Sequence, residues 1–234
     1  MRRVHGFAVA TAAFSFVTAL TPAHAQDASK AVAGGGITAP GWQGQVDANE
    51  AKRGNTINNA KFSKDGDALH VVTGPASTYW NPANKASGDY TVKASFKEPQ
   101  YMNLNNHDHP YGIMIGGNDL GTDQATMFYC AAYGDGRFIA RGFGPASFKL
   151  NGAEGEASPS IHKAAGKGEP VAQDIAVSVK GDKVSCSING AVVGTWNKSD
   201  IVGAGKLKST DGVYGIRFAH NTEGLVTGLS VTKP

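Results

Sequence analysis

The sequence predicts an all-β protein in which antiparallel strands form a two-sheet β-sandwich of the jelly-roll type. Short runs rich in β-branched and aromatic residues recur over residues 68–232, and Gly-rich turns separate them. Some runs alternate apolar and polar residues, so that Ile175, Val177 and Val179 share one face. Sustained helical periodicity is missing, and residues 48–60 could hold one short helix. Many short strands joined by turns are typical of sandwiches.

Ten runs have the composition and length of strands. They span residues 68–74, 89–96, 111–117, 125–133, 137–143, 174–180, 183–188, 191–196, 212–220 and 224–232. The GDG sequence at 134–136 and the KGDK sequence at 180–183 predict hairpins. Asn189-Gly190 predicts another, because both residues tolerate positive φ. Residues 150–170, rich in Ala, Gly and Ser, are predicted to form a mobile loop.

The N-terminus has the pattern of a cleavable secretory signal. Arg2 and Arg3 form a basic start, residues 7–20 are mostly apolar, and residues 23–25 read Ala-His-Ala. The apolar stretch is short for a membrane span and is interrupted by polar residues. We therefore expect residues 1–25 to be removed after Ala25, and a mature protein without a membrane span to be exported to a periplasm or beyond.

The mature chain is predicted to be one domain. Residues 26–40 are small, polar and Gly-rich, which predicts a flexible lead-in before a single sandwich domain at 41–234. Removing the two arginines of the predicted signal from the net charge of +3 leaves +1. No basic run alternates with aromatic residues, so the charge pattern gives no reason to expect binding to nucleic acid or to an anionic membrane.

Two cysteines, Cys130 and Cys186, lie on predicted strands. Export would allow a disulfide between them. The alternative is a pair of free thiols packed as small hydrophobic side chains. Sequence does not show whether the two Cα atoms come within bridging distance, so both interpretations stay open. The CxxC motif is absent, which argues against a redox function.

The order of the segments over about residues 68–232 is a pattern in itself. It consists of YWNPANKASGDYTVKASF, YGIMIGGNDL, the GDG hairpin, DIAVSVKGDKVSCSINGAVVGTW and DGVYGIRFAHNTEGLVTGLSV. This order resembles the concanavalin A-like lectin/glucanase superfamily. Within that superfamily it is similar to laminin-G-like domains and to exported bacterial domains grouped with 3-keto-disaccharide hydrolases. The resemblance implies a jelly-roll sandwich, with carbohydrate or a cell-surface glycan as the partner.

The chain departs from these families at two points. The hydrolase-like domains often have an Asn-Ser-Gly step before the central strand, where this sequence has HPYG at 109–112. The glucanase motif Glu-x-Asp-x-x-Glu, which supplies the nucleophile and the acid, is absent. The ordinary glucanase mechanism is therefore not expected.

The LNNHDHPY sequence at residues 104–111 raises the question of a metal site. In an extended chain His107 and His109 would project to one face, as metal ligands do. Spacing specifies neither a third nor a fourth ligand, because His162 and His220 are distant in sequence. The alternative is a polar loop that caps its own turn and bonds the backbone where the strand begins.

Two further sets of polar residues are candidates for chemistry. Asp108, His109 and His220 are the candidate catalytic residues, with His107 beside them, if the fold brings them together for acid–base work. Oxygen donors in the loop GGNDLGTDQ make calcium the candidate cofactor. The candidate ligands there are Asn118, Asp119 and Asp123. The same residue types also serve ordinary turns.

Alternation divides the 126–143 hairpin into two faces. Phe128 and Phe138 are predicted for the core, and tyrosines and arginines are predicted for an open concave face. Such surfaces bind sugars, because aromatic rings pack on C–H faces while polar side chains bond hydroxyls. The predicted ligand-binding residues are Trp80, His109, Tyr111, Tyr129, Tyr133, Arg137, Arg141 and His220. The alternative is a surface of ordinary solvated side chains.

Three functions follow from these patterns. The first is an exported lectin-like domain that binds carbohydrate or a cell-surface glycan. The second is a sugar hydrolase or lyase of the 3-keto-disaccharide type. The third is a structural or adhesion module without a small ligand, which a ligand face covered by its own loops would favour.

Overall fold

The structure, a computed structural model, describes Met1 and residues 28–234. Two sheets pack face to face. Sheet I consists, in spatial order, of β1 (Gly36–Ile37), β3 (Lys61–Asp65), β4 (Ala68–Val72), β16 (Glu223–Thr232), β6 (Tyr90–Glu98), β12 (Val171–Lys180), β13 (Lys183–Ile188) and β14 (Ala191–Asn197). Sheet II consists of β10 (Ser147–Lys149), β9 (Arg137–Phe143), β8 (Thr126–Ala132), β7 (Tyr111–Asn118), β15 (Gly212–Phe218), β5 (Ser77–Ala86) and β2 (Gln43–Val46), with β11 (Glu156–Ala157) also paired to β9.

This architecture confirms the predicted β-sandwich. Every pairing among the described strands is antiparallel except that of β1 with β3. The helices are short: α1 (Ala48–Lys52), α2 (Lys198–Ile201) and a 3₁₀ turn at Ile57–Asn59. All ten predicted strands are present, and the described part of the chain has six more.

The inner faces of the two sheets form the main core. Phe128 and Phe138 lie in it, as the alternation predicted. In β12 the residues Ile175, Val177 and Val179 are buried, while their neighbours along the strand are more exposed. Period-two patterning therefore sets which face of β12 is covered.

The predicted hairpins are present. β12 pairs with β13 across the turn at 181–182, and β13 pairs with β14 across Asn189-Gly190. Asn189 has φ +51° and Gly190 has φ +83°, the left-handed conformations that this turn needs. β8 pairs with β9 through the GDG turn.

A disulfide joins Cys130 of β8 to Cys186 of β13, so it links sheet II to sheet I through the core. The Cα atoms are 6.3 Å apart, within the usual bridging range. The structure thus has the disulfide rather than the pair of free thiols.

The start of the described chain packs on the sandwich. Within the predicted lead-in, residues 36–37 form β1 against β3, and Ala39 is buried. The Gly36 amide donates to the Ala60 carbonyl, and the Thr38 amide donates to the Phe62 carbonyl of β3. The predicted signal peptide lies, apart from Met1, outside the described residues. Over the residues that are described, no helix has the length and apolarity that crossing a membrane would require.

A second, smaller apolar cluster covers the outer face of sheet II, the face turned away from the main core. Its buried members are Trp80, Met114, Met127, Tyr129, Ala131 and Ile139. The loop at 119–125 lies over part of this face, since the Gly121 amide donates to the Gln45 side chain at 2.6 Å. The centre of the predicted concave face is therefore covered by the chain itself.

Candidate functional site

The register of sheet II brings two distant histidines together. β7 and β15 pair antiparallel, with Tyr111 opposite Phe218. Two residues beyond this pair, the same register places His109 opposite His220. The Ala219 amide donates to the Pro110 carbonyl at 2.9 Å, which continues the ladder between them. His220, which spacing could not place, is thus the cross-strand neighbour of His109.

Hydrogen bonds hold the loop that carries His107 against the turn that carries His220. The Asn105 side chain donates to the Asn221 carbonyl at 2.8 Å and accepts from the His107 amide at 3.2 Å. Asn221 is itself fixed, because its side chain accepts from the Lys30 amide and donates to the Ala28 carbonyl. The three histidines therefore rest on a connected network rather than on a free loop.

The imidazoles of His107, His109 and His220 form one cluster. The His109 ring centroid lies 3.9 Å from that of His220 and 4.5 Å from that of His107. One ligand atom of each ring lies within 4.8 Å of those of the other two. Burial, followed by the neighbouring His220 and His107, lowers the pKa of His109 to about 3. His109 is therefore neutral near pH 7.

A cleft of about 920 Å³ opens beside this cluster. We call it the histidine cleft. It is lined by Asn106, His107, Asp108, His109, Tyr133 and Arg137, among others. Its walls also carry Asp47, Glu50, Glu154 and Arg53. The lining is mostly polar and charged, so it suits a polar ligand.

Arg137 fixes one wall of the histidine cleft. Its Nη2 donates to Asp108 Oδ2, and its Nε donates to Asp135 Oδ2, both at 2.6 Å. Its Nη1 donates to the Glu154 carbonyl. The guanidinium also lies over the Tyr133 ring, 4.6 Å from the centroid. Burial raises the pKa of Tyr133 to about 12, despite the opposing effect of Arg137 and Arg141.

Four of the eight predicted ligand-binding residues line the histidine cleft, and the other four do not. His109, His220, Tyr133 and Arg137 line the histidine cleft. The prediction for Tyr111 is wrong, because its ring is 1% exposed in the main core and stacks on Phe96.

Trp80 and Tyr129, two other predicted ligand contacts, are almost fully covered by the chain. Both lie on the predicted face, but they are only 3% and 5% exposed. Phe143 stacks on the Tyr129 ring, and the loop at Gly121 approaches Trp80.

Arg141 lies on the predicted face but serves the loop beside it. Its Nη2 donates to the carbonyls of Gly152 and Ala153, at 3.3 and 2.7 Å. Alternation correctly assigned Tyr129 and Arg141 to this face. It could not show which part of the face the loops would cover.

Arg217 and Asp47 form a buried ion pair that sequence reasoning missed. Arg217 Nη1 and Nη2 each donate to Asp47 at 2.6 Å, and the Arg217 side chain is 8% exposed. The guanidinium lies 4.7 Å from the Tyr129 centroid and 4.8 Å from the Phe143 centroid. The signal in the sequence was an arginine within the otherwise apolar run of β15.

The calcium candidates are not gathered into a site. Asn118 donates through its side-chain amide to the carbonyls of Gly116 and Asp211. Asp119 forms an ion pair with Lys208. Asp123 instead lines a second cleft of about 500 Å³ beside Gln45, the Gln45 cleft. Within residues 28–234, the histidine cluster is the group of three or more side chains with metal-ligand geometry.

Comparisons with known proteins agree with this architecture. No family model and no curated protein matches the sequence. The carbohydrate-binding module CBM66 from Bacillus subtilis is 8% identical, with a TM-score of 0.55 over 84% of this chain and 98% of that chain. A Bacillus subtilis protein of unknown function with a galectin-like fold is 12% identical, with a TM-score of 0.53 over 82% and 89%. The chain therefore has the galectin-like, concanavalin A-like fold that its segment order implied.

Proposed function

We propose that this protein, exported after cleavage near Ala25, binds carbohydrate in the histidine cleft. The observation that carries the proposal is the polar lining of this cleft on the outer face of a lectin-type sheet. Sugars present hydroxyls that donate and accept hydrogen bonds, and the cleft offers imidazole, carboxylate and phenol groups. The fold shared with CBM66, a carbohydrate-binding module, supports the proposal.

The wall formed by Tyr133, Arg137 and Asp108 suits recognition of a defined ligand. Arg137 is held by three partners, so its position does not have to be fixed when a ligand binds. Pre-organisation of this kind reduces the entropy lost on binding. The Tyr133 phenol lines the cleft beside this arginine and provides apolar surface for a sugar ring.

A glycan panel tests the proposal. We expect the purified protein to bind at least one glycan of the panel, and Tyr133→Ala to weaken that binding at least about tenfold. Asp123→Asn, which lies in the Gln45 cleft, is the control and should bind as the wild type does. Calorimetric titration of each variant measures the affinities. No binding to any glycan, or equal loss in the control, would overturn the proposal.

A sugar hydrolase or lyase of the 3-keto-disaccharide type is the second candidate. The observation in its favour is that His107, Asp108, His109 and His220 meet at one wall of the cleft. A base with a pKa of about 3 accepts a proton poorly near pH 7, so the environment of His109 does not favour that residue as the general base. Asp108 is then the group to test.

Mass spectrometry separates the second candidate from simple binding. An enzyme should convert a 3-keto-disaccharide or a glycan to new products, and Asp108→Asn should lose most of that turnover while Asp123→Asn keeps it. Absence of new products across the panel would reject the enzymatic function and leave binding as the proposal. If the protein neither bound nor converted any glycan, the covered centre of the outer face would support the structural or adhesion module.

A further inference from the structure

His107 and His109 meet His220 in the histidine cleft, and one nitrogen on each of the first two rings lacks the hydrogen bond that buried polar groups normally make. The Nε2 atoms of His107 and His109 are buried, and none of the residues described here gives either atom a hydrogen-bond partner. Most buried polar atoms in proteins are paired, and an unpaired one costs about 1–3 kcal/mol. Two such atoms lie close together on neighbouring rings, which indicates that these nitrogens bind an ion or another ligand.

We propose that His107, His109 and His220 bind one divalent transition-metal ion of the zinc class. Their ligand atoms lie within 4.8 Å of one another. Tetrahedral ligand nitrogens at about 2.0–2.1 Å from zinc are about 3.4 Å apart, so small side-chain rotations complete the geometry. Imidazole suits zinc and its neighbours in the first transition series, whereas calcium takes oxygen ligands.

The backbone around the cluster is suited to hold such an ion. The ladder contact between Ala219 and Pro110 fixes the spacing of His109 and His220. Asn105 joins the His107 loop to the turn after His220. The rings therefore come from two segments that hydrogen bonds already hold together, and ordering them costs little on binding.

The surroundings favour a cation with an open coordination position. The walls of the histidine cleft carry four carboxylates, Asp47, Glu50, Asp108 and Glu154, against three arginines. No carboxylate of the described residues belongs to the cluster itself. Three protein ligands leave the fourth position to water or to a hydroxyl of a bound molecule, as in catalytic zinc sites. The proposed metal site does not depend on whether the cleft also binds carbohydrate.

Metal titration of the full exported chain tests this inference. After treatment with chelator and its removal, the protein should bind one Zn²⁺ with a dissociation constant of about micromolar or below. Co²⁺ should give the intense visible bands of a tetrahedral site, and Ca²⁺ should give no binding at this position. His107→Gln should weaken Zn²⁺ binding at least about tenfold. The triple variant, with His109→Asn and His220→Asn added, should abolish it.

His162→Gln is the matched control, since His162 is exposed and bonds the Ala172 carbonyl away from the cluster. It should bind Zn²⁺ as the wild type does. The triple variant keeps every other histidine, so any binding that it retains belongs elsewhere in the chain. If a variant of the buried His109 does not fold, His107→Gln and the Co²⁺ spectrum of the wild type still decide. Equal Zn²⁺ binding by wild type and His107→Gln, or no Zn²⁺ binding by the wild type, would overturn the inference.

Discussion

Two groups of buried polar side chains meet in the histidine cleft, and they differ in how they are paired. Arg217 is 6% exposed and donates to both oxygens of Asp47 and to Thr78. His109 is 5% exposed, yet its Nε2 has no hydrogen-bond partner among the described residues. Similar burial therefore goes with different pairing. We expect the paired group to contribute to the stability of the sandwich, and we propose that the unpaired His109 nitrogen binds a ligand.

The largest expected effect on stability lies outside both groups, in the disulfide. The bond between Cys130 and Cys186 closes a loop over a sequence separation of 56. Restricting the unfolded chain by a loop of this length is worth about 4 kcal/mol. We expect Cys130→Ser with Cys186→Ser to lower the free energy of unfolding by about that amount, measured by urea denaturation. Affinity for ligands of the cleft should not change while the variant is folded. Loss of binding by folded protein would mean that the core positions the histidines.

Removing Arg217 from its ion pair with Asp47 directly tests the comparison between the paired and the unpaired side chains. Arg217→Ala leaves Asp47 without its partner and removes packing against Tyr129 and Phe143. We expect the free energy of unfolding to fall by about 3 kcal/mol. Urea denaturation measures the change.

Arg53→Ala provides the matched control for this variant. The Arg53 side chain is 70% exposed and approaches Glu50 only at 4.0 Å. Its removal should cost less than about 0.5 kcal/mol. A similar small effect for both arginines would contradict a structural role for the buried pair.

Glu98 is intermediate between the two groups. Its Oε1 accepts from the Met102 amide at 3.1 Å, and its Oε2 is buried without a partner in the described chain. Burial raises the pKa of Glu98 from 4.5 to about 7; the Met102 hydrogen bond lowers it, and Asp108 raises it further. The folded protein therefore keeps this proton between those two pH values, while the unfolded chain loses it.

Stability should consequently fall as pH rises from about 4.5 to 7, because in that range the unfolded state binds fewer protons than the folded state. Above pH 7 the stability should level off. We expect Glu98 to account for about 2 kcal/mol of this loss. Urea denaturation of the wild type and of Glu98→Gln at pH 5 and pH 8 measures it. The variant should lose less stability between the two pH values than the wild type. An identical pH dependence would show that burial does not raise the pKa of Glu98 in the folded protein.

Composition and alternation predicted most of the fold. Turn residues with a fixed conformational preference, such as Asn189-Gly190, located the hairpins. The longest strand missed was β5, because Pro82 and several polar residues interrupt its pattern. The pairing of β5 with β15 is irregular between Val213 and Gly215, and this irregularity accommodates the proline.

The candidate site was only partly predictable, for a geometric reason. Local spacing identified the pair His107 and His109, but the third histidine, His220, comes from the end of β15. Its position follows from the register between β7 and β15, and register is a property of the assembled sheet. Likewise, alternation assigned Tyr129 to the correct face, while coverage by Phe143 and Arg217 depends on tertiary packing.

The smallest expected effect is that of removing the His109 imidazole from metal-free protein. His109→Asn loses no hydrogen bond at Nε2, because that nitrogen has no partner among the described residues, so the cost is limited to packing. We expect its free energy of unfolding in chelator to lie within about 1 kcal/mol of that of the wild type. Arg217→Ala, a change at similar burial, should cost about three times as much.

Zinc should then distinguish the wild type from His109→Asn. With free Zn²⁺ at one hundred times the dissociation constant, the wild type should gain about 2.7 kcal/mol, because the ion binds only the folded state. His109→Asn should gain far less, and urea denaturation with zinc or with chelator measures both values. A loss of about 3 kcal/mol for His109→Asn in chelator alone would place this histidine with Arg217, as a side chain that stabilises the fold. A small loss in chelator together with a large loss in zinc would mean that the folded chain tolerates the unpaired His109 Nε2 and that the metal ion supplies its partner.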